Sequence, residues 1–313
     1  MATPTRFTSL APWMRATFGR PVHRVALDAG STCPNRDGTK GFGGCTYCDV
    51  DGSGTGALRT GRDLADQLEA GIARVRRRGD DVGVVAYFQS YTNTYVDERR
   101  LQETLAVVEP WLGDPVVAVS VATRPDCLPE RALETLAALG RRVPVWVELG
   151  LEAADDRVLA RVNRLHGVAD FEDAVRRTHA AGLTIIAHVI LGLPGDGREG
   201  ARRSGEVLAR TGVAGVKVHQ MMVLERTQLA HGWRRGELEV LDPATYVAWL
   251  ADLVERLSPD QVLHRLMGDA RAEDLLAPRW TLPKNAVLEL LERELERRGT
   301  LQGSLCRAPL ARG

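Results

Sequence analysis

Six short apolar runs recur between Val22 and Met222, and a helical pattern follows nearly every one. His23 to Ala29 alternates and is rich in valine and leucine, which predicts a first strand. Val82 to Phe88, Val116 to Val121, Val143 to Leu149, Leu183 to Leu191 and Val213 to His219 predict five more. Between them, Thr60 to Arg78 carries Leu64, Leu68, Ile72 and Val75 on one helical face. Further helices are expected over Asp97 to Glu109, Pro129 to Leu139, Asp155 to Arg164, Asp170 to Ala181 and Gly200 to Arg210. Runs such as VGVVAYF, PVVAVSV and LTIIAHVI are apolar on both faces, as strands are in a parallel sheet covered by helices. Six such strand–helix units fit an open partial barrel or a doubly wound sheet.

After about Leu224 the pattern turns mostly helical, with an amphipathic helix at Pro243 to Leu257 and a charged one at Asn285 to Arg298. A further strand fits Asp260 to Met267. No Pro/Gly/Ser linker sets this part off, so it reads as an extension packed on the barrel. The expected division is 1–222 for the barrel, with 1–24 as a basic N-terminal arm, and 223–313 for the extension.

In either architecture the active site lies at the C-terminal ends of the strands. Polar clusters follow the strands there: Gln89 to Asn93, Thr123 to Cys127, Glu148 and Glu152, His188 with Gly192 to Gly195, and His219. The most distinctive segment follows the first strand, from Asp28 to Val50. It holds Cys33, Cys45 and Cys48 in the pattern C-x11-C-x2-C, with Gly38, Gly41, Gly43 and Gly44 between them. So many glycines argue against helix or strand and for a loop that folds back to gather three thiols. Gathered thiolates select soft metals, either zinc or an iron–sulfur cluster. Structural zinc wants a fourth ligand, which Cys127 or a histidine would have to supply. A cluster on three cysteines keeps one iron open, which suits an enzyme better than an electron carrier.

Composition adds limits. Across 313 residues, 44% hydrophobic and 26% charged is ordinary for a globular chain. No apolar run approaches the ~20 residues of a membrane span, and the start of the chain lacks a secretory apolar core, so a cytoplasmic protein is expected. Five cysteines in a chain of this length do not make a disulfide framework. Net charge is +0, so no overall field marks a nucleic-acid partner. A local basic patch is best sought in the acid-free N-terminus, at Arg15, Arg20 and Arg24. Gly52 to Ala57 formally matches G-x-G-x-x-A but does not follow a strand directly, and Gly192 to Gly197 lacks the Lys-Ser/Thr of a phosphate loop.

Taken together, CPNRDGTKGFGGCTYC (Cys33 to Cys48), AYFQSYTNTY (Ala86 to Tyr95), TRPDC (Thr123 to Cys127), VELGLE (Val147 to Glu152), NRLH (Asn163 to His166), HVILGLPG (His188 to Gly195) and VKVH (Val216 to His219) resemble one family. HRL (His264 to Leu266) and LLAPRW (Leu275 to Trp280) continue the likeness over nearly the whole chain. The chain resembles radical S-adenosylmethionine (SAM) proteins of the YhcC-like family, related to the radical SAM domain of the Elongator catalytic subunit.

That resemblance implies an α/β fold, a six-stranded partial (β/α)6 TIM-like barrel with a mostly helical C-terminal extension. It implies a [4Fe–4S] cluster on Cys33, Cys45 and Cys48, with SAM on the open iron and a 5′-deoxyadenosyl radical that abstracts hydrogen from substrate. It implies Tyr47, Gln89, Ser90, Thr92, Glu152, Arg164, His188 and Gly192 as cofactor contacts. Here Gln89, Ser90 and Tyr91 replace the family's usual glycines, Glu152 a usual glutamine and His188 an acid, while Ala122 stands where an acid is common. Arg124, Asp126, Cys127, Lys217, His219, His264 and Arg265 are the implied substrate or proton-transfer residues. The implied partners are an electron donor such as flavodoxin or ferredoxin and a tRNA whose wobble uridine side chain is modified, with Arg15, Arg20 and Arg24 as phosphate contacts. A small-molecule or protein substrate, and a non-catalytic zinc or iron–sulfur protein, are the alternatives.

Overall fold

The computed structural model describes residues 5–49, 63–280 and 284–307. Its centre is a parallel sheet whose inner strands are mostly buried. The chain enters through α1 (Leu10–Phe18) and β1 (Val22–Leu27), then alternates α2 (Leu64–Arg76), β2 (Gly83–Phe88), α3 (Glu98–Ala106), β3 (Val116–Thr123), α4 (Glu130–Gly140) and β4 (Val145–Glu152). It continues with α5 (Asp156–Arg161), α6 (Val168–Ala180), β5 (Thr184–Leu191), α7 (Gly197–Thr211) and β6 (Gly215–Gln220). Then come β7 (Val223–Leu224), α8 (Gln228–Arg234), α9 (Pro243–Val254), β8 (Val262–Arg265), β9 (Leu275–Ala277) and α10 (Lys284–Arg298). Every residue of β2 and of β4 is buried, as the two-sided apolar runs required. Asp63, Asp97, Asp155 and Asp242 each cap a helix by accepting from a first-turn amide.

The sheet has seven strands, in the order β1-β2-β3-β4-β5-β6-β8. It curls into a half-barrel with helices outside. The seventh strand corrects the expected six: β8 pairs parallel with β6, so the barrel sheet runs on past residue 222. β7 and β9 form a separate antiparallel pair.

Local differences have local causes. The helix expected over Asp155 to Arg164 stops at Arg161, because Asn163 and Leu165 take left-handed backbone with φ of 55° and 59°. Thr60 to Arg62 and the Gly52 to Ala57 motif lie outside the described residues, as does Val50. No described helix is long and apolar enough to cross a membrane.

The N-terminal arm is not a free basic arm. α1 contacts both β1 and β8, the two edges of the sheet, and Leu263 donates its amide to the Thr8 carbonyl at 2.8 Å. Met14 packs with Val85, Ala118, Trp146 and Ile186 in one cluster, against which Leu10, Trp13, Phe18 and Val22 also rest. That cluster is the bottom tier of the barrel interior, at the N-terminal ends of the strands. Arg20 ion-pairs there with Asp81 and Asp114, and Arg24 is turned into the barrel. Arg15 on α1 and Arg20 therefore stand at the N-terminal ends of the strands, away from the cysteine loop, while Arg24 reaches the charged groups around Glu148 inside the barrel.

His264 joins this tier. Its ring packs edge-on against Trp146, with centroids 5.5 Å apart, and fills the space where a Gly215 side chain would stand. A register shift between Val216 and Lys217 makes room for it in the β6–β8 pairing. Burial, and next the nearby Lys217, push the His264 pKa down to about 3. Above pH 6.5 the ring is neutral whether the chain is folded or not. Below 6.5 only the unfolded chain takes the proton, so stability falls by up to about 1.4 kcal/mol per pH unit until the ring protonates near pH 3. His264→Gln is expected to flatten the fall in urea-unfolding free energy between pH 6.5 and 5; an unchanged slope contradicts this placement.

Candidate active site

Alternate residues of each strand point into the barrel, so its interior rises in tiers two residues apart. Two residues above the apolar tier of Val85, Ala118, Trp146 and Ile186 stand Tyr87, Ser120, Glu148 and His188. Lys217 of β6 stands at the same level. Glu148, 2% exposed, is the centre of this polar tier. One carboxylate oxygen accepts from Ser120 Oγ at 2.5 Å; the other accepts from His188 Nε2 at 2.6 Å and from Lys217 Nζ. Burial alone would raise the Glu148 pKa, but Lys217 and His188 outweigh it and hold the carboxylate well below its usual range. Lys217 sits 4.1 Å from the Tyr87 ring centroid. Burial, helped by Arg24 and Arg265 and opposed by Glu148, brings its pKa down to about 7.

One tier higher come Gln89, Ala122, Gly150, Ile190 and His219, which together with Glu148, His188 and Lys217 line a cavity of about 670 Å³. His219 stacks on His188 with ring centroids 5.9 Å apart, and its Nε2 is buried without a partner among the described residues. Burial, then Arg265 and His188, hold the His219 ring neutral by pushing its pKa well down. Gln220, Met222, Leu224, Arg265, Asp269, Arg271 and Asp274 wall the far side.

The cysteine loop forms the mouth, with Cys33, Cys45 and Cys48 all lining the cavity and all free of disulfides. Having no ladder of its own, the loop is tied down by the segment after α5. Asn35 Nδ2 donates to the carbonyls of Asn163 at 2.7 Å and Arg164 at 3.1 Å; Asn163 Nδ2 returns a bond to the Gly44 carbonyl at 2.8 Å. The Thr46 amide donates to the Val162 carbonyl at 3.0 Å. Arg36 donates to the carbonyls of Cys48 and Asp49 and lies 5.4 Å from the Tyr91 ring centroid. The four non-glycine residues with left-handed backbone among those described are Tyr91, Asn163 and Leu165 on the loops around this mouth and Glu152 at the C-terminal end of β4. Gly150 permits the Glu152–Arg164 ion pair of 3.3 Å, since a Cβ there would fall 2.2 Å from Glu152 Oε1.

The donor set suits a thiolate-bound group. Burial, then the neighbouring Cys45, push the Cys48 thiol up to about 12, with Arg36 pulling the other way. A cationic centre beside the Cys48 thiol would favour its thiolate. Among the described residues no three His, Cys, Asp or Glu side chains converge on a single ion's position. A cluster asks instead for thiols spread over its separate irons.

Of the residues singled out in the sequence, Cys33, Cys45, Cys48, Tyr47, Gln89, Thr92, Arg124, Glu152, Arg164, His188, Lys217, His219 and Arg265 line this cavity. Five do not. Ser90 is fully buried beneath the mouth, where its carbonyl accepts from Ser31 and Asn93. Gly192 turns the chain at φ 89° against Leu241. Asp126 is taken up by the Arg124 fork, with two bonds of 2.9 Å, and by Lys40 at 2.6 Å. Cys127 is buried beside it, its thiol pushed up to about 12 by burial and then Asp126. His264 is in the bottom tier. Sequence reading passed over Tyr87 and Ser120, each a lone polar residue in an apolar strand, two positions above a bottom-tier residue. It also passed over Asn35 and Arg36, inside the cysteine motif itself.

Comparison with known proteins agrees with this geometry. The Radical SAM superfamily profile matches residues 32–204, and the Radical_SAM C-terminal domain matches 213–297. The chain is 36% identical to YtqA of Bacillus subtilis, over 96% of this chain and 93% of that protein. It is 33% identical to YhcC of Escherichia coli K12, over 93% of each. A shorter match, 26% identical over 56% of this chain and 38% of the other, is to a tRNA uridine(34) acetyltransferase of Dehalococcoides mccartyi. Among solved structures, Elp3 of Methanocaldococcus infernus superposes with a TM-score of 0.69 at 19% identity, over 90% of this chain and 64% of that one, which shows a shared fold.

The polar tier makes a sharp prediction. Glu148→Gln leaves Lys217 enclosed without its counter-charge and is expected to cost about 3–5 kcal/mol in urea unfolding at pH 6, where the lysine is charged. Adding Lys217→Met should recover most of that loss. Equal losses in the single and double variants contradict the pairing.

Proposed function

Because the chain belongs to the radical SAM superfamily, within the family of YtqA and YhcC, we propose that Cys33, Cys45 and Cys48 carry a [4Fe–4S] cluster, that SAM binds the iron they leave open, and that a tRNA wobble uridine side chain is the substrate. The observation that carries this reading is one loop with three free cysteines over the C-terminal mouth of a parallel half-barrel, sharing a cavity with a buried polar tier. When bound, the cluster supplies an electron for reductive cleavage of SAM, and thereby hydrogen-atom abstraction from a substrate.

The chain's own residues then orient and enclose. Tyr47, Gln89, Thr92, Glu152 and His188 face the space between the cysteine loop and the polar tier and are assigned to SAM. Arg124 has one guanidinium nitrogen, Nη1, buried without a partner among the described residues, while Asp126 fixes the rest of its fork. Lys217, His219 and Arg265 also line the cavity and are assigned to the substrate, where Lys217 on Glu148 holds a proton near neutral pH. An electron donor of the flavodoxin or ferredoxin kind is required.

The tRNA reading is supported by the match to a tRNA uridine(34) acetyltransferase and by the shared fold with Elp3. A polyanion reaching the mouth meets Arg36 and Arg271, not the N-terminal arginines.

Anaerobic reconstitution with iron and sulfide, followed by reductant and SAM, is expected to yield 5′-deoxyadenosine. Cys33→Ala, Cys45→Ala and Cys48→Ala should each abolish both cluster absorbance and that product; turnover surviving in any of them contradicts the ligand assignment. Mass spectrometry of wobble-uridine nucleosides from a host with and without the gene tests the substrate. A changed nucleoside is expected, and identical profiles overturn the tRNA reading while leaving the SAM chemistry standing.

A further inference from the structure

Cys45 is the most enclosed of the three cysteines, and its sulfur is approached by two side-chain donors, Asn35 Nδ2 at 3.6 Å and Arg164 Nη1 at 3.8 Å. Neither donor is free to leave. Asn35 is fully buried, and the two protons of its amide are shared among the carbonyls of Asn163 and Arg164 and the Cys45 sulfur, so Arg164 is the donor with a proton to itself for that sulfur. Arg164 is bound along its whole guanidinium: Nε donates to His166 Nε2 at 2.7 Å, and Nη2 faces the Gly150 carbonyl at 3.4 Å and Glu152 Oε1 at 3.3 Å. Its own carbonyl accepts from Arg124 Nη2 at 2.8 Å.

His166 locks this arrangement. Its Nδ1 lies 3.2 Å from the Gly167 carbonyl, an acceptor, so that nitrogen carries the proton and Nε2 presents the lone pair that receives Arg164. Burial, then Arg164 and Arg124, push the His166 pKa down to about 3, which keeps the ring in this neutral form. The left-handed backbone of Asn163 and Leu165, on either side of Arg164, shapes the loop that delivers it to the cysteine. An arginine so occupied has little left to offer SAM, the role the family resemblance implied for it.

We propose that Arg164 and Asn35 are positioning residues that set the reduction potential of the cluster by donating hydrogen bonds to the Cys45 sulfur. This rests on the cluster reading given under the proposed function. N–H donors and a fixed positive charge beside a ligand sulfur favour the reduced cluster, which carries one more negative charge, and so raise its potential. The device makes the cluster easier to reduce while SAM is left to other side chains.

The test is an EPR-monitored redox titration of the anaerobically reconstituted full chain. Arg164→Met, which removes donor and charge, is expected to move the midpoint to a more negative potential than wild type. Arg164→Lys, which keeps the charge but cannot keep all three directions of the guanidinium, is expected to shift it in the same direction by less. The midpoint does not depend on how much protein is loaded, so a purely structural role would lower cluster content and leave the midpoint in place. An unchanged midpoint in Arg164→Met, or in Arg164→Lys where the methionine variant takes up no cluster, overturns the proposal. Resonance Raman on the wild type gives a reading without substitution. The Fe–Sγ stretching bands should shift on transfer to D2O, and bands that stay fixed contradict it. Failure of the wild type to take up any cluster is a separate result, and it strikes the proposed function itself.

Discussion

Asn35 and Asn163 hold the mouth of this barrel in shape by each bonding to backbone carbonyls on the other's loop. The segment from Cys33 to Cys48 has too many glycines to form a ladder, yet several of its peptide groups are buried and must be paired. Asn35 is wholly enclosed, and its amide reaches the carbonyls of Asn163 and Arg164. Asn163 can return the bond because its backbone is left-handed, a conformation asparagine tolerates better than most residues. Thr46 adds a backbone bond to Val162 on one side, and Leu229 of α8 donates to the Thr46 carbonyl on the other. The positions of the three cysteines thus follow from the turn after α5, and through it from the end of β4.

Beneath the mouth, the barrel solves a second problem. An incomplete barrel leaves its bottom and both edges open. α1 lies across the bottom and touches β1 and β8, and Trp13, Trp146 and His264 pack in one aromatic chain there. With the bottom apolar, the next tier can hold Glu148 and Lys217 out of water, each tied to the other, with His188 bonded to Glu148 from the cavity side. The cavity therefore runs from thiols at its mouth to the buried Glu148–Lys217 pair at its floor. That polarity, one end suited to a metal group and the other to proton traffic, is the physical content of the active site.

Much of this was legible in the sequence. Strands such as VGVVAYF and LTIIAHVI announced a parallel sheet because they are apolar on both faces, and C-x11-C-x2-C announced a thiol loop because glycines exclude regular structure. What escaped depends on long-range pairing. The seventh strand is four residues long and pairs through a register shift, so nothing local tied it to the barrel. Arginines are conspicuous along the first 24 residues, whereas Leu10, Trp13 and Met14, spaced for one face, decide the place of α1. His264, Asp126 and Cys127 sit in motif-like stretches, but their partners, Trp146, Arg124 and the buried surface around Thr94, turn them away from the cavity. Tyr87 and Ser120 become visible only when strands are aligned by the two-residue period from a common tier.

On the proposed reading, three cysteines on one loop hold a cluster whose remaining iron is open to SAM. EPR of the reduced, reconstituted protein, recorded before and after addition of SAM, tests it most directly. The cluster's g-values should change on adding SAM, because a ligand then enters the coordination of one iron. A cluster spectrum that SAM leaves untouched would contradict it.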